Sequence, residues 1–242
     1  MQELVSILIP VHGNRFSTGL LPETLESVRS QSYGNLEIIV INDGAEGDLE
    51  DLPSCPKLRL IGDGRQKIGQ ARARNMGLDM AQGELIMPFD SDDLMTPFMV
   101  EKLVAACREA DGAYSHFYRR HRNGHLETRI MPTEGHSIAA MMEKETVPHH
   151  TMMRRWVYDS GVRYDETHLS CIDLDMKIQW VRSGALLKCV PEPLFLHRLH
   201  REGQETGSRR QVDYCEEIRR KWRLALSVGT QEVASAIPSE AN

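Results

Sequence analysis

The chain has 242 residues, 40% hydrophobic and 26% charged, the composition of an ordinary soluble globular protein near the upper size of a single α/β domain. Its formal net charge of −6 supplies no global basic field to recruit nucleic acid, and no run approaches transmembrane length. The five cysteines lie far apart without paired spacing, and the N-terminus lacks the basic and long apolar regions of a signal peptide; the expectation is a cytoplasmic protein whose cysteines are small buried hydrophobes, not a disulfide frame or a zinc site.

Residues 5–11 (VSILIPV) are a nearly continuous apolar run, as in a central parallel strand covered on both faces, and His12-Gly13-Asn14 breaks it. Residues 20–31 carry Leu21, Leu25 and Val28 at helical spacing, with Pro22 in the first turn. Residues 36–41 (LEIIVI) predict a second strand, ending in Asn42-Asp43-Gly44, and residues 58–61 a weaker third. A helix is predicted over 68–80, carrying Arg72, Arg74 and Asn75. Residues 85–89 then form a short buried strand that ends in Asp90-Ser91-Asp92-Asp93.

Three carboxylates within four residues cannot be buried unpaired, so this strand is expected to deliver them to a rim where a cation meets them. Hard carboxylate oxygens suit Mg²⁺ or Mn²⁺ bridging to substrate phosphates. A helix N-cap ahead of a predicted helix over 99–110 would explain one aspartate of the three. The alternation of β and α over roughly the first hundred residues predicts an open, mostly parallel, doubly wound α/β sheet with helices on both faces. Ligands bind such sheets beyond the carboxyl ends of the strands. Three strand ends carry conspicuous groups there: Pro10-Val11-His12, Asp43 and the Asp90 cluster. Asp43 has the alternative of a plain turn residue, and Arg72 and Arg74 that of solvated helix charges.

The second half is less regular. Residues 113–118 and 126–131, joined by Arg122-Asn123-Gly124, read as a hairpin opening a smaller second region. Residues 149–153 (HHTMM) are a candidate strand, with His149 and His150 as polar edge residues or as groups near an active site. The Met141-Met142 and Met152-Met153 pairs read as core filler or as an adaptable channel lining. A helix is predicted over 173–180, with Asp173 placed to stabilise its N-terminus. Pro191-Glu192-Pro193 reads as a turn before His197-Arg198-Leu199-His200, and residues 201–210 as a loop able to close over a ligand. Helical periodicity returns over 212–226 with a basic cluster, Arg219-Arg220-Lys221 and Arg223. That cluster is either a solvated face or a membrane-surface contact. The tail from about residue 231 is expected to fray.

The chain resembles the GT-A-type nucleotide-sugar glycosyltransferases of family 2. The residues that carry the resemblance are VSILIPVHGN, TLESVRSQSYGNLEIIVINDG, GQARARNMGLDMAQGELIMPFDSDD, DSGVRYDETHLSCIDLDMKIQWVRSG and VPEPLFLHRLH, an ordered series from about residue 4 to about 200. The resemblance implies one GT-A domain over 1–242: a nucleotide-sugar half to about 110, an acceptor half to about 205, then a C-terminal helix and tail. It implies an inverting, metal-dependent transfer from a nucleoside-diphosphate sugar, UDP first, to a glycan or lipid-linked acceptor, in glycan or cell-surface polysaccharide synthesis. The enzyme would be cytoplasmic or peripheral at the inner membrane face. Carried over by position, Pro10 and Val11 line the nucleoside, Asp43 accepts from the base and Arg74 supports the nucleotide. Asp90, with Ser91, faces ribose or sugar hydroxyls. Asp92 and His200 hold Mn²⁺ or Mg²⁺, and Asp173 is the catalytic base. The family's usual Glu before that base is Ile172 here, and Asp175 is a further, structural acid. A sugar nucleotidyltransferase, or a non-catalytic nucleotide-sugar-binding protein, is the competing reading. The first would need a basic phosphate-gripping loop, of which His12-Gly13-Asn14-Arg15 is a poor version.

Overall fold

The apolar run that begins the chain becomes β1 (Val5–Gly13), in which every residue from Val5 to Val11 is buried. β2 (Leu36–Ala45) lies parallel to it, with Pro10 opposite Ile41 and Val11 opposite Asn42. β3 (Leu58–Ile61) continues the parallel set beyond β2, and β4 (Leu85–Pro88) flanks β1 on its other side. The computed structural model describes residues 2–13, 18–45, 52, 57–62, 64, 66–134, 136–144, 146–199 and 209–235, with side chains of the last segment over 212–227.

The connections are α1 (Leu20–Arg29), between β1 and β2, and α2 (Gln70–Met80), between β3 and β4. The strand order β3-β2-β1-β4 makes the first crossover step one way across the sheet and the second step back. Right-handed crossovers therefore put α1 and α2 on opposite faces, with the topological switch point between β1 and β4. Gly77 of α2 allows close packing here: a Cβ at that position would lie 3.0 Å from the Ile41 side chain.

Beyond β4 the sheet becomes mixed. β5 (Leu94–Met95) and α3 (Met99–Ala106) lead to β6 (Gly112–Arg120), which pairs with β7 (Leu126–Arg129) as the expected hairpin. α4 (Ile138–Glu143) precedes β8 (Met152–Arg154), which is inserted antiparallel between β4 and β6, and α5 (Arg155–Asp159) comes directly after it. α6 (Ile172–Arg182), β9 (Leu187–Arg198) and α7 (Arg209–Ser235) complete the chain. The full order, β3-β2-β1-β4-β8-β6-β9-β5, is open at both ends, with β7 attached to β6. Phe117 of β6 and Phe195 of β9 stack at 4.7 Å and anchor the second half of the core.

Several expectations change. Pro191-Glu192-Pro193 is not a turn but part of β9: the pairing steps from Ser115–Val190 to His116–Pro193, and the extra residues sit in an irregularity where the missing proline N–H groups cost no ladder bond. α7 runs on to Ser235, through the start of the stretch expected to fray. The cysteines are also more than buried hydrophobes. Cys171 and Cys215 form a disulfide, which no local spacing announces because the packing of α6 and α7 brings together residues 44 apart. Cys107 and Cys189 are free and buried as expected, and Cys55 lies outside the described residues. The pair removes the support that the cysteines gave to the expectation of a cytoplasmic protein.

α7 docks on α6 through Asp175, which is fully buried and accepts from Gln179 Nε2 (2.7 Å), Lys221 Nζ (2.8 Å) and Trp222 Nε1 (2.8 Å). Lys221 also reaches Asp165 at 2.8 Å, so part of the basic cluster of this helix is spent on tertiary contacts. Among the described residues, no helix is long and apolar enough to cross a membrane.

Candidate active site

The expected strand ends meet along one edge of the sheet. Pro10 and Val11 lie at the far end of β1, buried, beside Ile41 and Asn42 of β2. Asp43 comes next on β2, only 1% exposed. Its Oδ1 accepts from the backbone N–H groups of Ile68 (2.5 Å) and Gly69 (2.9 Å), at the entry to α2. Its Oδ2 is buried without a hydrogen-bond partner. An anionic oxygen in that state has a large desolvation cost, so a donor N–H from a ligand is the natural partner.

Arg74, on α2, is the pivot. It is 4% exposed, donates through Nη2 to Asp90 Oδ1 at 2.8 Å and through Nη1 to Asp173 Oδ1 at 3.2 Å, and lies 5.4 Å from the centroid of the Tyr164 ring. Burial alone would lower its pKa; Asp173 and Asp90 outweigh that and raise it further above its ordinary value. The end of β4 and the start of α6, remote in sequence, are thus tied by one guanidinium fork.

Asp173 lies in the first turn of α6, lines the adjoining cavity, and has a side chain 36% exposed. The residue before it, Ile172, is buried in the core. Cys171, the N-cap, takes a left-handed conformation (φ 55°) rare for a side-chain-bearing residue, and is bonded to Cys215 of α7. Asp175 faces away into the α6–α7 contact, as a structural residue.

The acidic cluster divides. Asp90 remains at the rim, its side chain 31% exposed, with Oδ2 3.3 Å from His149 Nε2. Confinement would raise its pKa, but Arg74 and then His149 hold it well below the usual carboxylate range. Asp92 is half-buried, and Ser91 is buried in the turn. Asp93 departs from the rim expected for it: it is fully buried. The reason is complete pairing. Its Oδ2 lies 2.7 Å from His150 Nε2, 3.1 Å from His197 Nδ1 and 3.5 Å from His149 Nε2, and its Oδ1 accepts from the Arg198 N–H at 3.0 Å. Burial opposes, yet those imidazoles keep the Asp93 carboxyl well below its ordinary pKa. Against a burial that would lower it, Asp90 and Asp93 raise the His149 pKa to about 9, while burial and then the neighbouring His149 charge lower that of His150.

Arg198 completes this corner. It is 2% exposed, and its side chain donates to the Asp92 carbonyl and to Glu23 of α1. Neither Arg198 nor the pairing of Asp93 was legible from sequence. The signal that existed was quantitative: three adjacent acids demand partners, and the chain holds HH and HRLH in its second half.

The ligand atoms of Asp90, Asp93, His149 and His150 lie within 4.8 Å of one another. Carboxylate and imidazole donors together suit Mn²⁺, and the buried Nε2 of His149 faces both Asp90 Oδ2 and Asp93 Oδ2. This acidic cluster is compatible with a divalent cation. It is not the expected pair: Asp92 stands beside it in the turn, and His200 and most of the expected closing loop, 201–208, lie outside the described residues. So do residues 14–17 of the loop after β1.

A cavity of about 340 Å³ opens next to the bridge, bounded by β6, β9 and α6 and reaching α7. Asp90, His149 and Asp173 line it at the Arg74 end.

Comparison with known proteins agrees with this geometry. The model of glycosyl transferase family 2 matches residues 6–169, more than half of the chain. The chain belongs to glycosyl transferase family 2. It is 35% identical over 117 residues to the glycosyltransferase GlyG of Streptococcus pneumoniae serotype 4, covering 46% of this chain and 37% of that protein. It is 27% identical over 224 residues to an uncharacterized glycosyltransferase of Haemophilus influenzae, covering 85% of this chain and 68% of the relative. The crystal structure of S. aureus TarS 1-349 in complex with UDP-GlcNAc superposes with a TM-score of 0.71 at 17% identity, over 89% of this chain and 65% of that one. The same TarS fragment in complex with UDP gives a TM-score of 0.67 at 16% identity. At that identity the likeness establishes the fold, an open GT-A-type sheet. The chain spans little more than a third of the S. pneumoniae relative and less than two thirds of the TarS fragment.

Proposed function

We propose that this chain transfers a glycosyl group, with inversion, from a nucleoside-diphosphate sugar to an acceptor hydroxyl. The observation that carries the reading is the Arg74 bridge, which sets Asp90 of the donor-side strand end and Asp173 of the acceptor-side helix on one guanidinium beside a cavity. UDP is the nucleotide favoured by likeness to the UDP and UDP-GlcNAc complexes of TarS. Pro10 and Val11 line the nucleoside, and the unpaired Asp43 Oδ2 accepts from the base. Asp90 and Ser91 face ribose or sugar hydroxyls. Mn²⁺ or Mg²⁺, held by Asp92 with Asp90 beside it and His200 in the expected shell, would neutralise the diphosphate as it leaves.

Asp173 is the base. Displacement with inversion needs the acceptor hydroxyl on the face opposite the diphosphate, with its proton accepted as the new bond forms. A carboxylate from α6, remote from the Asp90–Asp92 turn and lining the cavity, meets that demand. Arg74 orients it through one oxygen. Residues to about 110 form the nucleotide-sugar half of one domain, those to about 205 the acceptor half, with a glycan or lipid-linked acceptor reached from the cytoplasmic side.

Calorimetric titration with UDP, GDP and dTDP, with and without Mn²⁺, tests the reading. UDP is expected to bind, and more tightly with the metal, because a cation offsets repulsion between phosphate and carboxylate. Failure of all three nucleotides to bind in the presence of Mn²⁺ overturns it.

A further inference from the structure

Asn75 follows Arg74 on α2, so its side chain leaves the helix about 100° further round and meets different neighbours. Arg74 reaches the end of β4 and the first turn of α6. Asn75 reaches the irregular segment between α5 and α6. Its Nδ2 donates to the Tyr164 carbonyl (2.9 Å) and to Glu166 Oε1 (2.9 Å), and its Oδ1 accepts from the Tyr164 N–H (3.0 Å). One side-chain amide thus pairs both backbone groups of Tyr164, as a neighbouring strand would, at a place where the segment has no ladder of its own.

Tyr164 is 3% exposed, and the Arg74 guanidinium lies over its ring. Hydrogen bonds direct that guanidinium at its two Nη ends, while its buried Nε has no hydrogen-bond partner. The Tyr164 ring is therefore the wall that sets its tilt. Beyond Tyr164 the segment leads to Cys171, an N-cap without a side-chain cap hydrogen bond, so long-range contacts must place the first turn of α6. Arg163 and Asp79 also join the segment to α2, at 3.5 Å, but as an exposed pair worth little. We propose that Asn75 is a positioning residue for the transfer step: it holds Tyr164 against Arg74, and so holds Nη1 at the angle that meets Asp173. This rests on the transferase reading above, with Asp173 as its base. A displacement of about 1 Å in a reacting group can cost about 10²-fold in rate. Nucleotide binding at the ends of β1 and β2 does not depend on that angle.

Gln31 supplies the control. Its amide likewise makes three hydrogen bonds, to the Ser27 and Thr96 carbonyls and from the Val100 N–H, none within the Arg74 bridge. UDP affinity is measured first by calorimetry with Mn²⁺. Steady-state release of UDP is then followed from UDP-GlcNAc, the nucleotide sugar of the TarS complex, with water as acceptor and well below every melting temperature. Asn75→Ala is expected to lose at least about ten-fold in kcat, with KM for UDP-GlcNAc and Kd for UDP within about three-fold. Gln31→Ala should also melt lower, yet keep kcat within about three-fold. Asn75→Asp sets a carboxylate against Glu166 and the Tyr164 carbonyl and should fall as far as Asn75→Ala. Asn75→Asp/Glu166→Gln restores a donor at position 166 and should regain most of the lost kcat; this comparison stands even if Asn75→Ala does not fold. A kcat for Asn75→Ala near wild type, an equal loss in Gln31→Ala, or a double variant no better than Asn75→Asp overturns the proposal. A loss of UDP affinity as large as the loss of kcat overturns it too, and would assign Asn75 to the nucleotide site. Wild-type protein that binds UDP but releases none from UDP-GlcNAc overturns the transferase reading, and this proposal with it.

Discussion

The two halves of this molecule reach order by different means. From β1 to β4 the chain is a parallel sheet built largely of apolar runs, and its candidate site residues sit toward the carboxyl ends of β1, β2 and β4: Pro10-Val11, Asp43, Asp90. From β5 onward the strands are mixed in direction, and specific polar and covalent contacts set the geometry. Asp93 gathers three imidazoles and a backbone N–H, Asp175 gathers three donors, and Cys171–Cys215 ties α6 to α7. Hydrophobic burial is non-directional and tolerant, whereas each buried carboxylate demands particular partners. A half built the first way can keep its geometry through much sequence change. A half built the second way can be re-specified by a few side chains.

The sharpest way to separate the halves is chemical. Asp173→Asn keeps side-chain size but cannot take a proton, so transfer should fall by about 10²–10⁴-fold while UDP affinity and melting temperature stay near wild type. Steady-state transfer assays beside UDP calorimetry check this; transfer within a few-fold of wild type would remove Asp173 as the base. Asp175 would not replace it, since its carboxylate is consumed in the α6–α7 contact.

Next in size is the covalent tie. The disulfide closes a separation of 44 residues, for which chain entropy gives about 4 kcal/mol. The Cys171→Ser/Cys215→Ser protein, or the wild type under reductant, should melt several degrees lower. UDP binding in the first half should survive at temperatures where the protein stays folded. Equal melting curves with and without reductant would show that the second half does not depend on this bond.

The first half has its own test at Asp43. Asp43→Asn can still accept from the Ile68 and Gly69 N–H groups but presents an NH₂ where Oδ2 stood. UDP binding should weaken by about 1–3 kcal/mol, the cost of a mispaired buried polar group, with little change in stability. An unaltered UDP Kd would place the base elsewhere.

The smallest expected effect concerns acid stability. Burial would raise the Asp165 pKa, but Lys221 and Thr167 bring it below its ordinary value. A carboxyl lowered on folding contributes stability that is present above its unfolded pKa and lost as pH falls through the folded one. Asp165→Asn should therefore lower the melting temperature slightly near neutrality and flatten its decline on the acid side. Parallel curves for variant and wild type would show that Asp165 does not contribute.

Legibility divided along the same line. The strands over 5–11, 36–41 and 85–89 were visible because burial on both faces leaves a run of apolar residues that nothing else explains, and the element order then locates their ends on one edge; 58–61, half-buried at the sheet edge, gave the weaker signal. The hairpin at β6–β7 was visible through its Gly124 turn. β9 was partly misread at Pro191-Glu192-Pro193, because proline is normally evidence against a strand and only the pairing with β6 shows the irregularity that accommodates it. His149 and His150 were ambiguous, since a histidine beside a strand has the same local signature whether it faces solvent or a buried aspartate.

By itself the sequence determined that an acidic turn must come after a buried strand, that parallel βα units must precede it, and that Asp43, Arg74 and Asp173 were the groups to watch. The first two conclusions rest on local pattern and on the cost of burying charge, and the third on the resemblance to the family. Only the tertiary structure decided which acid stays at the rim and which is buried, that one arginine joins Asp90 to Asp173, and that Cys171 meets Cys215. The physical reason is that pairing energy depends on contacts of 2.7–3.2 Å between groups 16 to 99 residues apart, and local sequence constrains only neighbours along the chain.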